Sequence, residues 1–145
     1  MTYDELFIRV KMKALNGYRK EIENFLKMSD DEILNDEIGK IHIGERVFQL
    51  AVDAVIDINQ HIMRELDLKG AEDPQGAFYI LGDEKIIPGE FAFNMAPVVS
   101  VRNRLVHGYD TFDKSLFLRN LRKGYPHFEE YLKLINEFLD KGNLK

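Results

Sequence analysis

Between residues 36 and 68 the apolar residues Ile43, Val47, Leu50, Ala51, Ala54, Val55, Ile58, Ile62 and Leu66 advance by three and four. That spacing gathers them on one stripe of an α-helix and on no single face of a strand. The segment therefore predicts one long amphipathic helix, roughly Asp36 to Leu68. A stripe that long must be covered along its whole length, and helices are the covering that the rest of the chain offers.

Upstream, Thr2-Tyr3-Asp4-Glu5 fits a capping box, with Leu6, Val10, Ala14, Tyr18, Ile22 and Phe25 marking one face of a first helix that ends near Lys27. Ser29-Asp30-Asp31-Glu32 is a second capping box, opening a short turn through Leu34. Downstream, residues 69–74 read as a loop, Gln75 to Leu81 as a short helix, and Pro88 as the start of another. Pro97 lies inside the segment from Gly89 to Val106, where a missing N–H predicts a kink or a restart near Asn94. Asp113 to Arg122 and Pro126 to Asp140 complete the helices, separated by Gly124-Tyr125-Pro126. The one strand candidate, Phe78 to Leu81, has nothing to pair with. There is no internal repeat and no linker. The expected fold class is all-α: a single domain over residues 1–145, an antiparallel helical bundle with short extra helices.

Composition limits the function. The chain has 145 residues with 45% hydrophobic and 31% charged, which describes an ordinary globular domain. Cysteine is absent, so disulfides, thiolate nucleophiles and zinc thiolates are excluded. No apolar run approaches the roughly 20 residues needed to span a bilayer, and the acidic Met1-Thr2-Tyr3-Asp4-Glu5 start is unlike a secretory signal. A cytoplasmic location is expected. The net charge of −5 argues against non-specific coating of nucleic acid. It is unevenly spread, however: residues 1–100 carry −8 and residues 101–127 carry +4. That basic excess is either a solvated helix face or the approach to an anionic ligand.

Within it lies Arg102-Asn103-Arg104-Leu105-Val106-His107-Gly108-Tyr109. Arginine offers a fixed fork of donors for phosphate oxygens, and histidine, with an unperturbed pKa of about 6.5, moves protons near neutral pH. Such groups suffice to cleave RNA without a metal, one taking the 2′-hydroxyl proton and another protonating the leaving 5′-oxygen. The plainer reading of an Arg and a His near a helix end is that they cap its carbonyls and favour its dipole. At about 100° per residue, Asn103 and His107 share a face, Arg102 and Tyr109 nearly align, and Arg102 and His107 stand about 140° apart. One helix thus presents the last pair awkwardly to a single phosphate. A homodimer with two motifs facing across a two-fold axis resolves this, each completing a shared cleft.

The segment resembles the Arg-x4-His-x-Tyr signature of the HEPN superfamily in its HepT-like toxin form. The likeness extends to Asp57-Ile58-Asn59-Gln60-His61-Ile62, to Phe78-x-x-Leu81 followed by Ile87-Pro88, and to Ala96-Pro97 ahead of Val101-Arg102-Asn103. It runs over roughly Glu45 to Phe138; Arg104 and Gly108 fall at variable positions of the signature. The resemblance implies an all-α HEPN fold that dimerises through the motif helix, with metal-independent ribonuclease activity acting as a toxin. It implies Arg102 and His107 as catalytic residues. It also implies a MntA-like nucleotidyltransferase antitoxin as partner, attaching AMP to Tyr109, where added negative charge and bulk would obstruct RNA phosphate.

Other candidates carry less. Asp57 and His61, four apart, point from one helix face and are placed to hydrogen-bond. With Asp53 they form a polar stripe, read first as a network orienting the bundle and second as a metal site or as support for the RNA cleft. Asn103 is placed to orient His107 or bind phosphate, and Arg104 to bind RNA. His42 and His127 read as surface residues. Phe91, Phe93, Phe117, Phe128, Tyr131 and Phe138 read as core. No phosphate-cradling glycine loop occurs and the sequence calls for no cofactor or metal. The alternative to a nuclease is a non-catalytic dimeric module that partners a nucleotidyltransferase, with Tyr109 as acceptor.

Overall fold

A computed structural model describes residues 3–142. The chain runs α1 (Tyr3–Phe25), α2 (Asp30–Leu34), α3 (Ile41–Glu65), α4 (Pro74–Asp83), α5 (Gly89–Met95), α6 (Pro97–His107), a 3-10 turn (Tyr109–Thr111), α7 (Lys114–Gly124) and α8 (Pro126–Asp140). No strand occurs among the described residues. The all-α bundle expected from the apolar spacing is what forms, and Phe78 to Leu81 belongs to α4.

Local chemistry sets the boundaries. Ser29 Oγ accepts from Glu32 N while the Glu32 carboxylate accepts from Ser29 N, which starts α2 as a capping box. The Thr2 cap lies outside the described residues. α3 begins five residues later than the apolar pattern suggests, because Asp36 Oδ2 accepts from Lys40 N and Gly39 turns the chain with φ +85°. Asp73 caps α4, with Pro74 in the first turn, and Asp113 caps α7. Pro97 does not kink one helix. It divides two, ending α5 at Met95 and opening α6.

α1 and α3 pack antiparallel: Phe25 lies against Gly44 at one end, and Asp4 reaches His61 at the other. The buried face of α1 is Ile8, Leu15, Ile22 and Phe25, whereas Leu6 and Val10 are 52% and 59% exposed. α1 carries two apolar stripes, and the one that recurs every seven residues is the one that meets α3. Each fully buried Ile or Leu here contributes about 1.5–3 kcal/mol. α8 runs back along α1, tied by Arg9 to Asn136 and Asp140. Phe91, Phe117, Phe128, Tyr131 and Phe138 all enter the core, as their spacing predicts, but Phe93 is 68% exposed. In the centre Tyr131 donates to the Oδ1 of Asn59, a buried polar pair joining α8 to α3.

Candidate active site

α6 crosses α3 so that Leu105 is buried and Arg102 is half-buried, while Asn103, Arg104 and His107 are exposed. Arg102 Nε donates to Asp53 Oδ1 at 2.8 Å, and Nη1 lies 3.4 Å from Asn103 Oδ1. The Asp53 bond fixes the plane of the guanidinium through its inner nitrogen and leaves the outer nitrogens as donors for an anion. His107 is the last residue of α6, and its ring makes no hydrogen bond among the described residues. The two groups therefore leave α6 in different directions, one braced against α3 and the other on the solvent side. The helix stops there: Gly108 N makes the last helical bond, to Arg104 O, and its backbone, at φ −130° and ψ 36°, leaves the helical region. Tyr109 is consequently not aligned with Arg102 along one helix face. It sits in the following 3-10 turn.

That turn aims Tyr109 at the start of α3. Its hydroxyl donates to the Glu45 carboxylate, with Oε1 at 2.9 Å and Oε2 at 3.1 Å, and stands 3.2 Å from His42 Nδ1. His42 Nδ1 is itself 2.7 Å from Glu45 Oε1. An ionised carboxylate only accepts, so this contact places a proton on Nδ1. The Tyr109 ring stacks beside Phe112, and the Lys114 ammonium lies 5.3 Å from its centre. Loss of water around the phenol pushes its pKa above the ordinary value of 10.0; Glu45 pushes the same way and Lys114 opposes. His42, Glu45, Arg46, Gln49, Val106 and Tyr109 line an open depression of about 350 Å³.

The Asp57–His61 pair does not form. Asp57 bonds to Lys11 at 3.0 Å, and His61 bonds to Asp4 at 3.0 Å while stacking on Phe7 at 4.2 Å. Both thus face α1, and with Asp53 committed to Arg102 the polar stripe divides between two neighbours. No cluster of three His, Asp or Glu suited to a metal occurs among the described residues. His42 is exposed, as its sequence context suggests, yet it belongs to the Tyr109 site rather than to plain surface. Sequence reasoning missed Glu45 altogether. Its signal was a lone carboxylate among the buried positions Ile41, Gly44, Phe48 and Val52.

The basic excess of residues 101–127 is partly structural. Arg122 donates to Asp30 and to the backbone carbonyls of Leu26 and Met28, closing the end of α1. Arg104, Arg119 and Lys123 are exposed and make no ion pair among the described residues.

Comparison with known proteins places the chain in a family. The family described as ribonuclease HepT-like matches residues 15–135. The chain is 30% identical to the tRNA nuclease HepT of Aphanizomenon flos-aquae, over 94% of this chain and 92% of that protein. It is 25% identical to the mRNA nuclease HepT of Shewanella oneidensis, over 86% and 85%. Among solved structures, the tri-AMPylated HEPN toxin of Shewanella oneidensis in complex with MNT antitoxin superposes with a TM-score of 0.81. It is 20% identical, covering 94% of this chain and 99% of that one, and shares the fold. With its signature segment at the end of the motif helix and a match over most of its length, this chain belongs to the ribonuclease HepT-like family.

Proposed function

We propose that the protein is a metal-independent RNA endonuclease and the toxin of a toxin–antitoxin pair. Its cleft is composite, built at the two-fold axis of a homodimer from two copies of the Arg102–Tyr109 segment. Arg102 binds and neutralises the scissile phosphate, and His107 transfers the proton. The 2′-hydroxyl attacks phosphorus as its proton is removed, and the 5′-oxygen leaves protonated. Asn103 shares the exposed face of His107 and orients it or the phosphate, and Arg104 contributes charge. Asp57 and His61 support the cleft only from a distance, since their partners are on α1.

The observation that carries this reading is the divergence of Arg102 and His107. Arg102 is held toward α3 by Asp53, and His107 projects to solvent. A single motif offers a phosphate one or the other, and a facing motif supplies the missing group. Val106, 40% exposed between them, gives the two helices apolar surface to share. Silencing follows from nucleotidylation of Tyr109 by a nucleotidyltransferase antitoxin, which adds a phosphodiester beside the site. The toxin acts in the cytoplasm, where its RNA substrate is; no described helix is long and apolar enough to cross a membrane.

Mixing two inactive variants tests the composite site directly. Arg102→Ala and His107→Ala homodimers are each expected to leave RNA intact in EDTA. Exchange of subunits between them restores one complete Arg–His set and with it part of the wild-type cleavage. No cleavage by wild type in EDTA would remove the metal-independent reading, and no rescue on mixing would remove the composite one.

A further inference from the structure

Glu45 is 5% exposed, yet it carries a carboxylate and sits on α3 among the buried apolar residues Ile41, Phe48 and Val52. Burying a carboxylate is costly unless its oxygens are satisfied, and here both are, by the Tyr109 hydroxyl and by His42 Nδ1. The hydrogen-bond directions all converge on it: the phenol donates, the imidazole donates, and only Glu45 accepts. We propose that Glu45 is the general base for Tyr109, taking the phenolic proton when a nucleotidyl group is transferred to that residue. This rests on Tyr109 being the acceptor, as proposed above.

The chemistry requires such a group. The phenol is held neutral, and a neutral phenol is a poor nucleophile toward phosphorus. In the step assigned here the Tyr109 O–H bond breaks and its proton passes to Glu45. The phenolic oxygen bonds to the α-phosphorus of a nucleoside 5′-triphosphate held by the antitoxin, and the bond to the β-phosphate oxygen breaks, releasing pyrophosphate. His42, donating to the same carboxylate at 2.7 Å, holds it in orientation toward the phenol until the transfer. Afterwards the protonated Glu45 becomes a donor, so the new phosphodiester does not face a second negative charge. Arg46 opens onto the same depression without an ion pair among the described residues, placed to meet the triphosphate. Among the described residues, the charged and titratable groups placed against the phenol or its depression are Glu45, His42 and Arg46 on α3 and Lys114 on α7.

Glu45→Gln keeps an oxygen that accepts from Tyr109 but removes its basicity. The test follows AMP incorporation by intact mass, with the cognate antitoxin, ATP and magnesium, across a pH series. Glu45→Gln is expected to slow incorporation about 10²-fold, with the deficit shrinking as the pH rises toward phenol ionisation, while its RNA cleavage matches wild type and reports an intact fold. Incorporation at the wild-type rate would overturn the role of Glu45 while leaving Tyr109 as acceptor. A deficit independent of pH would reduce Glu45 to a positioning group and overturn the proton transfer. Unmodified wild type, or unchanged incorporation in Tyr109→Phe, would instead overturn the acceptor reading on which this one rests.

Discussion

Arg102 and Asp53 are joined across 49 positions of sequence by a 2.8 Å hydrogen bond from the guanidinium Nε. Both side chains are partly exposed, at 24% and 35%. At such exposure an ion pair adds little stability, about 0–1 kcal/mol. Its consequence is geometric: it fixes the orientation of an arginine whose remaining donors face outward.

Asp53→Ala should therefore separate stability from activity. RNA cleavage is expected to fall about 10-fold, because an arginine free to rotate loses its preorganised donors. The unfolding midpoint should hardly move. Cleavage kinetics beside a denaturant titration check this, and full activity in the variant would mean that Asp53 does not orient Arg102.

Arg104, Arg119 and Lys123 are the cations of the basic stretch left uncommitted by the fold, whereas Arg122 is engaged with α1. Replacing those three by Gln should weaken RNA binding uniformly over sequence. The slope of log affinity against log salt should fall by about 0.7 for each single-strand phosphate that is no longer neutralised. Arg122→Gln should instead lower stability. Binding isotherms at several salt concentrations distinguish the two classes, and an unchanged slope in the triple variant would place RNA elsewhere on the surface.

The bundle was legible in the sequence, because apolar spacing and caps act locally: the capping box read at Ser29 forms, whereas the caps at Asp73 and Asp113 emerge only in the structure. The motif was legible as a set of residue types. Its contacts were not. Arg102 meets Asp53, and Tyr109 meets Glu45, through the crossing of α6 over α3, and no periodicity within one chain encodes a crossing. The Asp57–His61 spacing allowed a bond within the helix, but in the fold Asp57 pairs with Lys11 and His61 with Asp4, both on α1. Leu6 and Val10 misled for a related reason: a local stripe states that a helix is amphipathic, not which of two stripes its neighbour covers.

Tyr131 ties pH to stability. Its hydroxyl is fully buried, and desolvation raises its pKa well above 10.0. The folded state therefore holds this proton more tightly than the unfolded chain. Stability from this group is fully present below the ordinary phenol value and is lost as the pH rises above it toward the folded one. Spectrophotometric titration should show Tyr131 ionising only as the fold is lost. Tyr131→Phe should remove that alkaline sensitivity and cost about 1–3 kcal/mol at neutral pH, because Asn59 stays buried and its Nδ2 already lacks a partner among the described residues. A variant as stable as wild type at neutral pH would show that the Tyr131–Asn59 bond contributes nothing net.

Gly44 tests how closely α1 must approach the start of α3. A Cβ built there would stand 2.4 Å from Phe25 Cε2 and 2.6 Å from Cζ. Two effects oppose each other in Gly44→Ala. Alanine favours a helix interior over glycine by about 1 kcal/mol, while overpacking a core costs about 1–3 kcal/mol. Phe25 is 4% exposed, so its ring has little room to retreat, and the clash should win with a small net destabilisation. Because Gly44 precedes Glu45, the displaced turn should also lengthen the Glu45–Tyr109 hydrogen bond. Trimming the ring in Phe25→Leu should then relieve the strain, making the double variant more stable than the sum of the single changes allows. A double-mutant cycle by chemical denaturation reads this coupling; if Gly44→Ala proves more stable than wild type, the approach of the two helices is looser than the Gly44–Phe25 packing requires.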